Sequence, residues 1–341
     1  MDFQTAKQYD DEYIIHSYGR FPVLLTKGKG ATVQDDTGKT YIDFTSGIGV
    51  NALGFCDDNW VQAVSAQLQT LQHTSNLYYT EPCIQAAKLL CEKSGMKKVF
   101  FGNSGAEANE GVIKAARKYS FLKYGASRNK IIALQNSFHG RTMAALSATG
   151  QDAYHNFLFP FVDGFVFAKA NDFADILSKM TDDVCAVMLE TVQGEGGVVP
   201  LDKEYVQAVA KACKEKDILL IVDEVQTGMG RTGSLFSYQQ FGIQPDLVSC
   251  AKGLGGGLPI GAVLFGEKTE TVFVPGDHGS TFGGNPVVCA GAVHILNTMD
   301  DAFLQDVQKK GTYLKEKIEK MPHVENVAGL GMMLGIQLDV E

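Results

Sequence analysis

Five short apolar runs constrain this chain more than anything else in it: KIIALQ (130–135), FVFAK (165–169), VCAVMLE (184–190), ILLIV (218–222) and DLVSCA (246–251). They are too short for core helices and lack a polar residue at every second place, so they read as strands buried on both faces. Helical segments such as Tyr205 to Lys216 fall between them, and KKVFF before the long helix near Ser104 adds another strand. Strand and helix in alternation predict an α/β fold with a mostly parallel, doubly wound sheet. PIGAVLFG (259–266) follows DLVSCA after only a glycine turn. That connection is too short for a helical crossover, so the run is expected to pair antiparallel or to lie at an edge.

The two ends of the chain read differently. ATVQDDTGKTYIDF alternates around an Asp-Asp-Thr-Gly turn, which predicts a hairpin, and the first fifty or so residues read as short strands rather than helices. Helices are expected from Trp60 to about Gln72, Glu81 to Ser94, Pro286 to Met299 and Ala302 to Lys320, followed by a closing hairpin in VENVAGLGMMLGIQLDVE. The expected division is 1–55 and 286–341 as the two parts of a smaller α+β domain, around a large ligand-binding domain at 56–285.

Composition excludes several classes of partner. Lys and Arg number 30 against 39 acids, for a net charge of −9 over 341 residues, which is no footprint for nucleic acid. The start MDFQTAKQYDDEYIIHSYG is polar and acidic, and no run is long enough to span a bilayer, so neither membrane nor secretion is expected. Seven scattered cysteines without a CxxC spacing point to a reducing, cytoplasmic compartment. His16, His73 and His294 lack partners at metal-ligand spacing, so no metal is expected.

Asp223 closes ILLIV and Lys252 closes DLVSCA, with the glycine-rich GLGGGLPIG next. On neighbouring parallel strands, both would arrive at the carboxyl edge where α/β proteins bind ligands. An amine to hold an aldehyde and an acid to keep a ring nitrogen protonated are what pyridoxal phosphate requires. A strand ending Asp223-Glu224 also describes the Mg²⁺-binding strand of phosphate-loop ATPases. The chain does contain Gly38-Lys39-Thr40, but Val33 stands where that loop needs glycine, and the tripeptide sits within the predicted hairpin. In VFFGNSGAEANEGVIKAARKY, Gly102, Ser104 and Gly105 lie between strand and helix, where free N–H groups bind phosphate; an ordinary turn with Ser104 as helix cap reads equally well. Phe138 and Arg141 in NSFHGRTMAALSATG suit a ring face and a carboxylate clamp, or a core aromatic and a surface charge. Glu195 in QGEGGV is either an exposed loop acid or part of a shaped loop at the strand edge.

Together, NLYYTEP, FFGNSGAEANEGVIKAARKY, SFHGRTMAALSATGQ, ETVQGEGGV, DEVQTGMGRTG, CAKGLGGGLPIGA and HGSTFGGNP closely resemble the class III pyridoxal-phosphate aminotransferases, in that family's order. SFHGRT with NLYYTEP points to its acetylornithine branch, in arginine biosynthesis. The resemblance implies a fold-type I enzyme in which Lys252 forms the Schiff base with pyridoxal 5'-phosphate, Asp223 holds the pyridine nitrogen and Gln226 meets the phenolic oxygen. Gly105 and Ala106 would bind the phosphate and Phe138 would stack on the ring. Arg141 and Ser280 are similar to the family's substrate contacts, and Glu195 to its gate. Thr281 resembles the residue that reaches the phosphate of a neighbouring subunit, which implies a homodimer with shared active sites. Small-molecule amines and 2-oxo acids would be the substrates.

Relatives place the arginine that grips the α-carboxylate of glutamate beyond the strand matching GLGMMLGIQL, whereas residues 232–341 hold no arginine and Ala328 stands where arginine is common. GFCDDN also departs from the histidines and proline usual there. Ornithine, succinylornithine and 4-aminobutyrate are the alternative amines, and a chain that binds the cofactor without turnover is the alternative to an enzyme.

Overall fold

The structure is a computed structural model that describes residues 1–340. It opens with a helix where strands were expected, α1 (Phe3–Tyr13). The reason is local: Asp2 caps it by accepting from Thr5 N at 2.8 Å, and Lys7 pairs with Asp11 one turn on at 2.6 Å. None of its residues is buried, so no apolar period announces it. Strands β1 (Leu25–Lys29), β2 (Thr32–Asp35) and β3 (Thr40–Ile42) form an antiparallel three-stranded sheet. The predicted hairpin is its second half, with Thr32 opposite Ile42 and Asp35 Oδ1 accepting from Thr37 N and Lys39 N in the turn.

A single turn, α2 (Ser46–Gly49), leads to α3 (Asp58–Thr70) and α4 (Glu81–Ser94). Then β4 (Lys98–Gly102) runs into the long helix α5 (Gly105–Tyr124), β5 (Lys130–Leu134), α6 (Met143–Ser147), β6 (Phe165–Ala168), α7 (Phe173–Lys179) and β7 (Val184–Leu189). A small hairpin, β8 (Val192–Gln193) with β9 (Val199–Pro200), precedes α8 (Lys203–Glu215), β10 (Leu219–Asp223), α9 (Tyr238–Phe241), β11 (Leu247–Cys250) and β12 (Gly261–Phe265). The chain finishes with α10 (Pro286–Thr298), α11 (Asp301–Ile318) and the hairpin β13 (Val324–Leu330) and β14 (Met333–Leu338).

Seven strands make the central sheet in the order β4-β12-β11-β10-β7-β5-β6. All run parallel except β12, which pairs antiparallel with both β11 and β4. The expected reversal is therefore present, in the interior of the sheet rather than at its edge. Every residue of β7, β10, β11 and β12 is buried, as runs without polar alternation require. On one face Ile131, Met188, Ile221 and Leu247 pack under Val112 and Ala116 of α5; on the other Leu134, Leu189, Val222 and Val248 join Val209 of α8 and Ile295 of α10. Gly111 brings α5 close, since a Cβ there would lie 2.5 Å from Val263 Cγ2.

Helix α10 packs on α3 and α4. The closing hairpin forms its own two-stranded sheet, against α11 and β9, and does not extend the opening sheet. Among the described residues no single helix is long and apolar enough to cross a membrane.

Candidate active site

Because β4, β5, β7, β10 and β11 share one direction, the segments that leave their carboxyl ends gather along a single edge. Asp223 ends β10 directly opposite Ser249 of β11, and Lys252 follows three residues further along that neighbour. Asp223 is 3% exposed, yet it is well provided with donors. His139 Nδ1 lies 2.7 Å and Asn109 Nδ2 2.8 Å from its Oδ2, while Val225 N donates to Oδ1 at 2.9 Å. Asn109 also donates to the His139 carbonyl at 2.6 Å, which ties α5 to the segment after β5. Facing a carboxylate, Nδ1 carries the proton. Burial alone would pull the imidazole pKa down, but the bond to Asp223 and the charges of Asp223 and Glu190 outweigh it and hold it above the ordinary value. His139 Nε2 and Asn109 Oδ1 have no partner among the described residues.

Lys252 opens a single 3-10 turn with φ of 44°, the left-handed region that a lysine enters only at a cost on the order of 1–3 kcal/mol. Such strain persists where surrounding structure enforces it. Burial pushes its amine pKa down, opposed by the charges of Asp223, Glu195 and Glu190; no hydrogen bond from the amine contributes. The result is a lysine whose neutral form burial favours and whose nitrogen is uncommitted.

Ser104 caps α5, accepting from Glu107 N at 3.1 Å, as the bland reading of this turn supposed. Gly105 and Ala106 then occupy the first helical positions, whose N–H groups have no carbonyl one turn earlier. The turn is a capped helix end with free donors. Gly105 must lack a side chain, because a Cβ would lie 2.5 Å from Val225 Cγ1. Gln226 crosses the QGEGGV loop so closely that a Cβ on Gly194 would be 1.6 Å from its Oε1.

Phe138 is half-buried, its ring edge-on to Tyr154 at 5.7 Å. The Arg141 guanidinium is exposed and sits 4.0 Å over the Tyr154 ring and 5.4 Å from that of Phe138. Glu195 is exposed and pairs with no arginine among the described residues. Ser280 Oγ accepts from Asn103 Nδ2 at 3.0 Å and from Gly283 N at 2.9 Å, which ties the HGSTFGGNP turn to the start of α5. Thr281 next to it is exposed.

Sequence reasoning gave no role to Asn109, His139, Tyr154 or Glu190. Glu190 directly follows β7, is 6% exposed, and accepts from Phe138 N at 2.9 Å and Gly194 N at 3.4 Å. Burial pushes its carboxyl up to about 7 against the pull of His139. Its signal was available, since it ends the run VCAVMLE as Asp223 ends ILLIV. For Asn109 and Tyr154 no comparable signal exists.

Taken as a set, the edge offers an uncommitted amine, a buried acid with donors behind it, and a helix end with free N–H groups. Residues 13–341 match the family model described as Aminotransferase class-III. The acetylornithine aminotransferase of Haemophilus ducreyi is 54% identical over 99% of this chain and 86% of its own. An ornithine aminotransferase structure from Toxoplasma gondii, described as having partial occupancy of PLP at its active site, superposes with a TM-score of 0.94 at 32% identity, covering 99% of this chain and 82% of that one. The N-acetylornithine aminotransferase of Stenotrophomonas maltophilia superposes with a TM-score of 0.82 at 35% identity, over 97% and 83%.

Proposed function

The chain belongs to the class-III aminotransferases, and we propose that within that family it moves the δ-amino group of N-acetylornithine to 2-oxoglutarate, giving N-acetylglutamate 5-semialdehyde and glutamate. The relatives at 43–54% identity that carry the acetylornithine aminotransferase name support this choice of amine. As an aminotransferase it acts on small-molecule amines and 2-oxo acids.

Pyridoxal 5'-phosphate fits the residues present. A half-buried amine without a hydrogen-bond partner, a buried acid and a helix end with free donors lie on one edge, at the spacing of two adjacent parallel strands. Lys252 would hold its aldehyde, Asp223 its ring nitrogen, Gln226 its phenolic oxygen, and Ser104, Gly105 and Ala106 its phosphate, with Phe138 against the ring. When bound, such a ring accepts the electron pair left as a carbon–hydrogen bond beside the substrate nitrogen breaks. Lys252 is our choice for the base that takes and returns that proton, because burial favours its neutral form. Asp223 would face the ring nitrogen; opposite unit charges about 4 Å apart at an effective dielectric near 20 attract by about 4 kcal/mol. Arg141 is read as the clamp on the substrate carboxylate, Ser280 as a second contact, and Glu195 as the acid whose engagement distinguishes the amine from the 2-oxo acid.

The observation that carries this reading is the Asp223–His139–Asn109 cluster one strand away from Lys252. It is tested by the visible absorption of the purified chain before and after adding N-acetylornithine, ornithine, succinylornithine or 4-aminobutyrate. N-acetylornithine is expected to shift the cofactor band at the lowest concentration, and a stronger response to another amine would reassign the substrate. Lys252→Ala is expected to lose both turnover and the lysine-linked band; a variant that kept both would refute the role of Lys252.

We also propose a homodimer with shared sites, in which Thr281 reaches the neighbouring phosphate. Leu77 is 87%, Tyr79 95% and Phe282 61% exposed, and Asn76 joins their two segments by donating to the carbonyls of Ser280 and Gly283. Sedimentation should give twice the chain mass, and Tyr79→Asp should shift it towards monomer. The division into 1–55, 56–285 and 286–341 is proposed with one adjustment, that α10, packed on α3 and α4, sides with the large unit. Seven free thiols support a cytoplasmic setting.

A further inference from the structure

Glu190, like Glu224, is a buried acid of this edge to which the proposed chemistry gives nothing to do, and it alone of the two bonds two segments that carry proposed site residues. It directly follows β7, which lies between β5 and β10, and its two oxygens accept from two different segments. Oε1 accepts from the amide of Phe138, in the segment leaving β5, and Oε2 from the amide of Gly194, in the loop that carries Glu195. A carboxylate is the only side chain with two acceptor oxygens, so glutamine cannot reproduce this arrangement: its NH₂ would face an N–H donor. The gap is narrow. Gly194 has no room for a Cβ beside Gln226, and a Cβ on Gly196 would lie 2.7 Å from the carbonyl of Asn136, in the segment leading to Phe138. The two segments are therefore in direct contact, and Glu190 is the charged group that bonds both.

We propose that Glu190 is a positioning residue that clamps the Phe138–His139 segment and the Gly194–Gly197 loop to the end of β7, so that ring-facing and gating residues hold one relative placement. The inference rests on the reading of Phe138 and Glu195 as cofactor and substrate contacts; the clamp itself is a property of the chain alone. The titratable groups that act on Glu190 are His139 after β5 and Asp223 at the end of β10, and Glu190 in turn acts on Lys252 after β11. Taking up a proton near neutral pH turns one acceptor oxygen into a hydroxyl and loosens the clamp, so gate and ring segment come apart on the acid side.

Amide hydrogen exchange on the cofactor-free chain tests this without reference to turnover. In wild type, after correction for intrinsic exchange rates, peptides covering 136–140 and 193–197 should exchange faster at pH 6 than at pH 8. Glu190→Gln should exchange about tenfold faster than wild type at pH 8, the scale of one charge-assisted hydrogen bond, and lose the pH dependence. Glu190→Asp, one methylene shorter, should protect only one of the two segments and keep the pH dependence. Unchanged protection in Glu190→Gln overturns the proposal. So does equal loss of protection across β5 and β10, which would mean a loosened fold rather than a released clamp. If Glu190→Gln does not fold, Glu190→Asp decides alone: protection of both segments as in wild type overturns the clamp. Exchange that changes as expected, together with an unaltered response to amine and 2-oxo acid in the loaded enzyme, upholds the clamp and removes Phe138 and Glu195 from the site.

Discussion

The role proposed for Asp223 depends on what stands behind it. With His139 and Asn109 both donating to Oδ2, the carboxyl group is buried without being left unpaired. Asp223→Ala is expected to keep bound cofactor, through Lys252 and the α5 amides, and to lose activity on the order of a thousandfold, the equivalent of about 4 kcal/mol. Single-turnover rates with N-acetylornithine check this, and a rate near wild type would remove Asp223 from the chemistry. Both Asp223 and Lys252 were legible in the sequence because each closes an apolar run. His139 was not, although it lies inside a quoted motif, because its value depends on a partner from another strand. Tyr154 under the Arg141 guanidinium is a similar case: nothing in the polar stretch around it announces a ring that anchors an arginine from the segment after β5.

Short elements set the geometry of that edge as much as the strands do. Helix α6, directly after Arg141, is a turn and a half held by Glu110 of α5, whose Oε1 accepts from Thr142 Oγ1 at 2.6 Å, Ala144 N at 3.0 Å and Ala145 N at 3.2 Å. This is a helix cap supplied from another helix. Glu110→Ala is expected to cost about 1 kcal/mol in a denaturant titration and to raise KM for the amine more than it lowers kcat, since Arg141 loses its frame. The long elements were readable from pattern: α4 spans Glu81–Ser94 as expected, and the five buried runs all became strands. Helix α1 was unreadable by the same rule, since its stabilising contacts are polar and local. β12 was half legible: the short glycine turn dictated its direction, but its insertion between β11 and β4 depends on strands far away in sequence.

For the molecule as a whole, the buried acids give stability a definite pH sense. Glu190 and Glu224 are both pushed up to about 7, chiefly by burial, and His139 is held above its ordinary value. A group whose folded pKa lies above its unfolded value binds protons more tightly in the native state, so its contribution is full below the unfolded pKa and is lost as pH rises through the folded one. For the two glutamates that window runs from 4.5 to about 7. Asp175, Asp183 and Asp217 are shifted the other way, and their loss falls below the ordinary aspartate value of 3.8, outside this window. The unfolding midpoint is therefore expected to fall between pH 5 and pH 8. Glu224 accepts from Ser237 N, Tyr238 N and Thr227 Oγ1, so Glu224→Gln should flatten that slope while lowering the midpoint at every pH. A slope identical to wild type would show that Glu224 does not titrate there.

The interior position of β12 also bears on how such a molecule is made. β4 has no other neighbour in the sheet, and it leads directly into the helix end assigned to phosphate. On a ribosome, β4 emerges long before β12, so the nascent chain carries an unpaired edge from Gly102 until Gly261 has been made. Anion capture at the proposed site would then be a late event in biogenesis, and a stall before Gly261 is expected to leave a polypeptide prone to stick to its own kind.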